Sequence, residues 1–165
     1  MKIINNKYLI KIFLIIIIFF LDRISKIYIL DLFDKNQVQE IVVFSFLNFY
    51  LILNEGIAFG LLNFDSQKIY NFITIIIILI SLIVLFYALR LKNYSGYFFS
   101  LIFGGALGNL YDRIYFSAVP DFIDLHIGNY HWFIFNVADI FITIGILCLI
   151  FVELFFNKSI TNDEK

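Results

Sequence analysis

The sequence predicts an all-α membrane protein with four transmembrane helices and a small β-rich element on one membrane surface. Hydrophobic residues make up 62% of the 165 residues, whereas a soluble domain is about 45–50% apolar. The uncharged run 69–89 is long enough to cross a bilayer, which takes about 20 residues. Other apolar stretches carry carboxylates, which are costly in lipid and therefore indicate a polar site. The length fits one membrane-embedded domain, 1–165.

The first span is predicted over 8–30. Its uncharged core, 12–21, is too short to cross a bilayer alone, so the helix must continue past Asp22 and Lys26. These two residues are four apart and share one helix face. We expect them to form an ion pair that turns this face toward the other spans.

Three further spans follow at 69–89, 94–111 and 133–152, the last with Asp139 near its start. Small residues in the third span, between Gly104 and Gly108, allow another helix to come close to the backbone.

The basic residues orient the bundle. Most lie before the uncharged core of the first span, between spans two and three, or after the fourth span: Lys2, Lys7, Lys11, Arg90, Lys92, Lys158 and Lys165. The positive-inside rule therefore places both termini and the 90–93 turn in the cytoplasm. The segments 31–67 and 112–132 then face outward.

The outer segment 31–67 is too long for a simple turn. Residues 41–53 are rich in β-branched and aromatic residues and are followed by a turn at Asn54-Glu55-Gly56, so a strand-rich element is predicted. A short interfacial helix is expected near 57–67.

Composition excludes several other classes. The net charge of −1 gives no basic surface for nucleic acid. Cys148 is the single cysteine, so an internal disulfide is excluded, and no Cys/His group has zinc spacing. His126 and His131 are predicted to be rim residues of a loop, and no metal is expected.

Four aspartates crowd the second half of the chain. Asp112 is followed by Arg113, and we predict a structural charge pair between them. Asp121 follows Pro120, whose fixed φ helps to aim the carboxylate. Asp124 is predicted to be a solvated rim charge.

Asparagines accompany the carboxylates. Asn136 lies three residues before Asp139, where a helix would place both on one face. Asn109 stands at the outer end of the third span, and Asn54 with Gly56 suits a tight loop near a ligand.

Two carboxylates held close together cannot both ionise easily, so one keeps a proton while the other acts as a base. Such a pair can activate water to attack a carbonyl and then protonate the leaving amine. The residues themselves leave open which two aspartates form the pair. They also leave open a small membrane transporter or a non-catalytic membrane protein that only binds its ligand.

Five motifs, in order, resemble the lipoprotein signal peptidase (bacterial signal peptidase II) family. They are LDRISK (21–26), NEGIAFG (54–60), GGALGNLYDR (104–113), VPDFID (119–124) and FNVAD (135–139). The resemblance covers the chain except its tails.

The resemblance implies an aspartic endopeptidase of the cell membrane with Asp121 and Asp139 as the catalytic pair. It implies supporting roles for a further set of residues: Asp22, Lys26, Asn54, Gly56, Asn109, Asp112, Arg113 and Asn136. The implied substrates are membrane-held prolipoproteins cut just before a diacylglyceryl cysteine. No metal or organic cofactor is implied, and globomycin is the expected inhibitor.

The chain departs from the family at few places. Arg23 stands where Gln or another polar residue is frequent, and Pro120 where Val is frequent. The sequence HIGNYHW (126–132) is particular to this chain.

Overall fold

Four long helices and a small antiparallel sheet make up the computed structural model, which describes residues 6–38, 40–56 and 67–156. The elements, in chain order, are α1 (Asn6–Asn36), β1 (Glu40–Phe44), β2 (Leu47–Asn54), α2 (Gln67–Arg90), α3 (Ser95–Phe116), β3 (Val119–Ile127), β4 (Tyr130–His131) and α4 (Val137–Phe156). The mostly helical fold with a small sheet is therefore confirmed. The interfacial helix expected near 57–67 falls almost wholly outside the described residues.

Two of the described helices are long and apolar enough to cross a membrane, Lys68–Arg90 and Val137–Phe155. They correspond to the second and fourth predicted spans. Helix α4 begins at Val137 rather than at 133, and α3 continues past 111 to Phe116. Asp112 and Arg113 are thus helical residues, not the start of a loop.

Helix α1 turns one face inward, and this face carries the charged residues Lys11, Asp22 and Lys26. Its buried residues recur every three or four positions, which defines one face of the helix: Lys11, Ile15, Ile18, Asp22, Lys26, Ile29 and Phe33. Large apolar side chains on the other face are exposed, with Phe13 at 61% and Ile27 at 65%. This pattern suits a lipid environment, in which the apolar face needs no protein cover and the charges must pair inside.

Helix α3 lies at the centre of the bundle and packs against α1, α2 and α4. Glycines make this close packing feasible. A Cβ added to Gly104 would lie 3.0 Å from the side chain of Ile18 on α1, and one added to Gly105 would lie 2.5 Å from the carbonyl oxygen of Ala138 on α4. The approach at Gly105 brings α3 directly against the first turn of α4.

The sheet has the strand order β1-β2-β3-β4 with antiparallel neighbours. The predicted strand-rich element at 41–53 is confirmed as the hairpin of β1 and β2. The loop predicted around His126 and His131 is wrong, because both residues lie on strands, His126 on β3, which pairs along β2, and His131 on β4. Pro120 is tolerated in β3 because it is the second residue of that strand, near its end.

Apolar packing fixes the sheet on the end of α1. Phe122 of β3 forms a buried cluster with Ile29 and Phe33 of α1. Phe49 of β2 meets the Phe122 ring edge-on at 6.1 Å. The residue before Phe122, Asp121, is thereby held at the junction of the sheet and the helices.

We expect Gly105→Ala to destabilise the protein by about 1–3 kcal/mol, the usual cost of overpacking. The added methyl group would meet a backbone carbonyl, which cannot rotate away as a side chain can. Thermal unfolding in detergent measures the effect. Ile114→Ala, on an exposed position of the same helix, should leave the melting temperature nearly unchanged, and equal melting temperatures for both variants would contradict the packing argument.

Candidate active site

Asp121 is a buried carboxylate on β3, 4% exposed, and both of its oxygens accept hydrogen bonds from amide side chains. Asn54 Nδ2 donates to Oδ2 at 2.8 Å, and Asn136 Nδ2 donates to Oδ1 at 2.5 Å. Asn54 can serve in this way because its own Oδ1 accepts the backbone N–H of Gly56 at 2.9 Å. The predicted Asn54-Gly56 turn thus fixes which end of the amide faces Asp121.

Burial, and after it the negative charge of Asp139, raise the pKa of Asp121 to about 6. The hydrogen bonds from Asn54 and Asn136 and the positive charge of Lys26 act in the opposite direction. Asp121 is therefore a carboxyl group that can hold a proton well above its usual range.

Asp139 is held by a reciprocal cap at the start of α4. Asn136 immediately precedes the helix, and its Oδ1 accepts the backbone N–H of Asp139 at 3.2 Å. In return, Asp139 Oδ2 accepts the backbone N–H of Asn136 at 3.1 Å. This is a capping box, with Asp in the place of the usual Glu or Gln, and it locks the carboxylate against the first helical turn.

Asn136 joins the two aspartates through its side-chain amide. Its Nδ2 binds the carboxylate of Asp121 while its Oδ1 caps the helix that carries Asp139. Asn136 is fully buried. The sequence analysis placed Asn136 on the same helix face as Asp139, which is wrong in detail, since Asn136 lies one residue before the helix and acts as its cap.

A second amide, from Asn109 on α3, positions Asp139 from the opposite side. Asn109 Nδ2 donates to Asp139 Oδ1 at 2.9 Å, and Asn109 Oδ1 accepts a hydrogen bond from Lys26 Nζ at 2.8 Å. Because Lys26 can only donate, it fixes the orientation of the Asn109 amide and presents its N–H group to Asp139.

Lys26 is itself held by a buried ion network between α1 and α3. Its Nζ lies 3.0 Å from the Asp22 carboxylate and 2.8 Å from Asp112 Oδ2. Arg23 binds both oxygens of Asp112, at 2.5 and 2.6 Å, and reaches Asp22 at 3.0 Å. Asp22 Oδ1 also accepts the backbone N–H of Ala138 at 3.2 Å, which ties α4 to the same network. The expected Asp22–Lys26 pair is confirmed.

The expected pair of Asp112 with Arg113 is wrong. Consecutive residues on a helix point about 100° apart, and Asp112 faces Arg23 and Lys26 on α1 instead. Among the described residues Arg113 has no ion pair, and its Nη1 has no hydrogen-bond partner there. Its backbone carbonyl accepts a hydrogen bond from the Tyr70 hydroxyl at 3.3 Å.

Asp124 is not the solvated rim charge that the sequence analysis expected, since it is only 4% exposed. It lies on β3 opposite Asn48 of β2. Its Oδ2 lies 2.9 Å from His131 Nδ1. Strand β4 brings His131 over Asp124, and this strand was not foreseen.

The sequence did not predict that Arg23 forms ion pairs with Asp112 and Asp22. It identified Arg23 only as a departure from the family pattern. One feature could have revealed it: Arg23 lies in the middle of an apolar span, where a cation requires a carboxylate partner. Its guanidinium also lies 4.9 Å from the centre of the Tyr111 ring.

An apolar cavity of about 620 Å³ opens beside Asp139. It lies between α4 and the β3–β4 hairpin. Its lining consists mainly of aliphatic and aromatic side chains: Phe46, Leu125, His126, Ile127, Tyr130, Trp132, Phe133, Phe135, Asp139, Ile140, Thr143 and Ile144. A carboxylate at the wall of an apolar cavity can act on a polar bond within an otherwise apolar ligand.

Asn136 thus links the buried carboxylate of Asp121 to the partly buried carboxylate of Asp139, whose charge contributes to the raised pKa of Asp121. Two linked carboxyl groups with a raised pKa resemble the arrangement in aspartic peptidases. The apolar helices around it are typical of a membrane enzyme.

Comparisons with known proteins agree with this class. Residues 14–156 match the family model described as signal peptidase (SPase) II. A lipoprotein signal peptidase of Pelagibacter ubique (strain HTCC1062) is 54% identical over 160 residues, covering 97% of this chain and 96% of that protein. The lipoprotein signal peptidase of Aquifex aeolicus (strain VF5) is 46% identical, covering 80% and 83%.

Two solved structures with a similar fold are also membrane enzymes. A bacterial membrane enzyme superposes with a TM-score of 0.73 at 30% identity, covering 94% of this chain and 91% of that one. A second bacterial membrane enzyme gives a TM-score of 0.71 at 31% identity, covering 88% and 93%. The chain therefore belongs to the signal peptidase II family and is an aspartic-type peptidase.

We expect Lys26→Met to destabilise the protein by about 3–5 kcal/mol, because Asp22 and Asp112 would be left buried with less positive charge. Thermal unfolding in detergent measures this loss. The chain offers a matched control, since Lys35 and Asp31 form the same i,i+4 pair on α1 but are exposed. Lys35→Met should leave the melting temperature unchanged. An equal change in melting temperature for both variants would show that the buried pair stabilises the protein no more than the exposed pair does.

Proposed function

We propose that this protein removes signal peptides from diacylglyceryl-modified prolipoproteins, cutting just before the lipid-modified cysteine with water activated by Asp121 and Asp139. The observation that supports this assignment most strongly is that Asn136 contacts both carboxylates, donating from its side-chain amide to Asp121 and from its backbone N–H to Asp139. Family membership supports the class of reaction, and the hydrogen bonds around Asp121 and Asp139 support the choice of these two residues.

In the proposed reaction the two aspartates share one proton. The ionised carboxylate takes a proton from water, the resulting hydroxide attacks the scissile carbonyl carbon, and the protonated carboxyl stabilises the developing oxyanion. The proton then passes to the leaving amine as the C–N bond breaks. Atoms and charge balance without a metal ion or an organic cofactor.

The asparagines act as positioning residues in this proposal. Asn54 and Asn136 hold Asp121, and Asn109 and Asn136 hold Asp139. Every carboxylate oxygen of the pair therefore has a donor from the protein, which fixes the two groups for attack on one bound water.

The apolar cavity beside Asp139 is proposed to receive the diacylglyceryl group. Each methylene buried there contributes about 0.8 kcal/mol. The scissile bond lies next to the lipid-modified cysteine, so a lipid held in the cavity places this bond near Asp139. Binding energy from the lipid is thereby used to orient the reacting peptide.

A four-span topology with the active site near the outer face completes the proposal. Helices α1 and α3 would cross the bilayer beside the two apolar spans, with their charges sealed between them. Lys11 donates a hydrogen bond to the carbonyl of Leu91. This contact marks one end of the bundle, where the basic 90–93 turn lies. The sheet and Asp121 lie beyond Ile29 and Phe33, near the other end of α1, which agrees with cytoplasmic termini and an outward-facing catalytic pair.

Asp121→Asn and Asp139→Asn should each reduce cleavage of a diacylglyceryl prolipoprotein by at least about a thousandfold, because Asn can neither accept the proton of water nor return it. A gel-shift assay in liposomes measures the loss. Asp31→Asn, at an exposed carboxylate on α1, should cleave at the normal rate.

Retained cleavage by either dyad variant would contradict the assignment of that residue. If the wild type binds the precursor without cutting it, the non-catalytic lipoprotein-binding alternative would be favoured. Uptake of a solute by proteoliposomes, dependent on both aspartates, would favour a transporter instead.

Ile144→Trp should raise the KM for the diacylglyceryl substrate severalfold, since the larger side chain would fill part of the cavity. Ile146→Trp is a matched control, because both isoleucines are 43% exposed on α4 and only Ile144 lines the cavity. Steady-state kinetics at several lipid chain lengths would measure the change. The same KM for both variants would exclude the cavity as the lipid site.

A further inference from the structure

A second polar cluster lies on β3, three residues beyond Asp121. Asp124, His126 and His131 each offer a ligand atom, and these atoms lie within 4.8 Å of one another. The β3–β4 hairpin makes His126 and His131 cross-strand partners, with their rings stacked at 5.0 Å. Asp124 Oδ2 lies 2.9 Å from His131 Nδ1 and 3.9 Å from His126 Nδ1.

Unsatisfied acceptors distinguish this cluster from an ordinary His–Asp hydrogen bond. Asp124 is 4% exposed, and within the described part of the chain its Oδ1 has no hydrogen-bond partner. His126 Nδ1 is likewise buried there without a partner. Asn48 lies opposite Asp124 on β2. Its Nδ2 donates a hydrogen bond to Glu40, but its Oδ1 has no partner among the described residues. Burying a carboxylate oxygen without a donor is costly.

Hydrogen bonding within the cluster satisfies only part of it. The contact between His131 and Asp124 Oδ2 leaves Asp124 Oδ1 and His126 Nδ1 without partners. At 3.9 Å, His126 is too far from Asp124 for a hydrogen bond. A cation bound among these three residues would supply the partners that Asp124 Oδ1 and His126 Nδ1 lack within the described part of the chain.

We propose that Asp124, His126 and His131 bind one divalent cation of the zinc class. Imidazole nitrogens with one carboxylate oxygen are typical ligands of Zn²⁺ and related transition metals. Bonds of about 2.0 Å in tetrahedral geometry put ligand atoms about 3.3 Å apart. Asp124 Oδ2 lies 2.9 Å from His131 Nδ1 and 3.9 Å from His126 Nδ1, and these two distances lie on either side of 3.3 Å.

The bound ion would join β4 to β3, since its ligands come from both strands. It would lie beside the cavity, because His126 also lines the cavity wall. Asp121 and Asp139 are not among the proposed ligands. Ion binding can therefore be measured directly, without a cleavage assay.

Binding is tested on the full-length protein in detergent, purified without a polyhistidine tag and stripped with a chelator. Isothermal titration with Zn²⁺ should give one ion per chain. Asp124→Asn, His126→Gln and His131→Gln should each weaken the affinity at least about tenfold, since even outer-shell changes at metal sites cost that much. Asp31→Asn should bind like the wild type. Wild-type binding no tighter than that of Asp124→Asn overturns the proposal.

X-ray absorption of Zn²⁺ on the wild type makes the test independent of whether the variants fold. The chain contains two histidines, so imidazole scattering from the protein can come only from His126 and His131. Scattering from two imidazoles per zinc is expected. A zinc environment of oxygen ligands alone would show that the ion binds elsewhere and that the proposal is wrong.

Discussion

The buried positive charge of Lys26 is the constraint on which the rest of the molecule depends. An ammonium group inside an apolar bundle needs acceptors on every side. Lys26 obtains them from Asp22 on its own helix and from Asp112 and Asn109 on α3. Asp22 in turn accepts the backbone N–H of Ala138, so three helices meet at one set of charges. Close glycine contacts along α3 allow the helices to come near enough for these bonds.

From Lys26 a chain of amides leads to the catalytic pair. Lys26 orients Asn109, Asn109 holds Asp139, and Asn136 links the cap of α4 to Asp121. At each step one end of an amide is already occupied, so the other end can face only one way. The two carboxylates are thus positioned by fixed donors, although one stands on a strand and the other on a helix. The ion network that stabilises the helix bundle therefore also fixes the position of Asp139, through Lys26 and Asn109.

The sequence predicted the helical class, the strands at 41–53 and the Asp22–Lys26 pair, because periodicity, β-branched residues and i,i+4 spacing are local properties. It did not predict β3, since VPDFIDLHI lacks a regular alternation and becomes a strand by pairing with β2. The partners of Asp112 were also missed, because sequence proximity favoured Arg113 while the fold supplied Arg23. Asp121 and Asp139 were named through a family resemblance, and the residues alone left the choice open. Their joining by Asn136 depends on tertiary structure.

The central claim is that Asp121 and Asp139 act as one coupled pair, and a titration of Asp121 tests it most directly. Infrared difference spectra of the carboxyl stretch, assigned with Asp121→Asn, would give the pKa of Asp121 in the wild type and in Asp139→Asn. The account predicts a pKa of about 6 in the wild type. In Asp139→Asn this pKa should fall, because the neighbouring negative charge that raises it is gone. An unchanged pKa would show that the two aspartates titrate independently and would contradict the account.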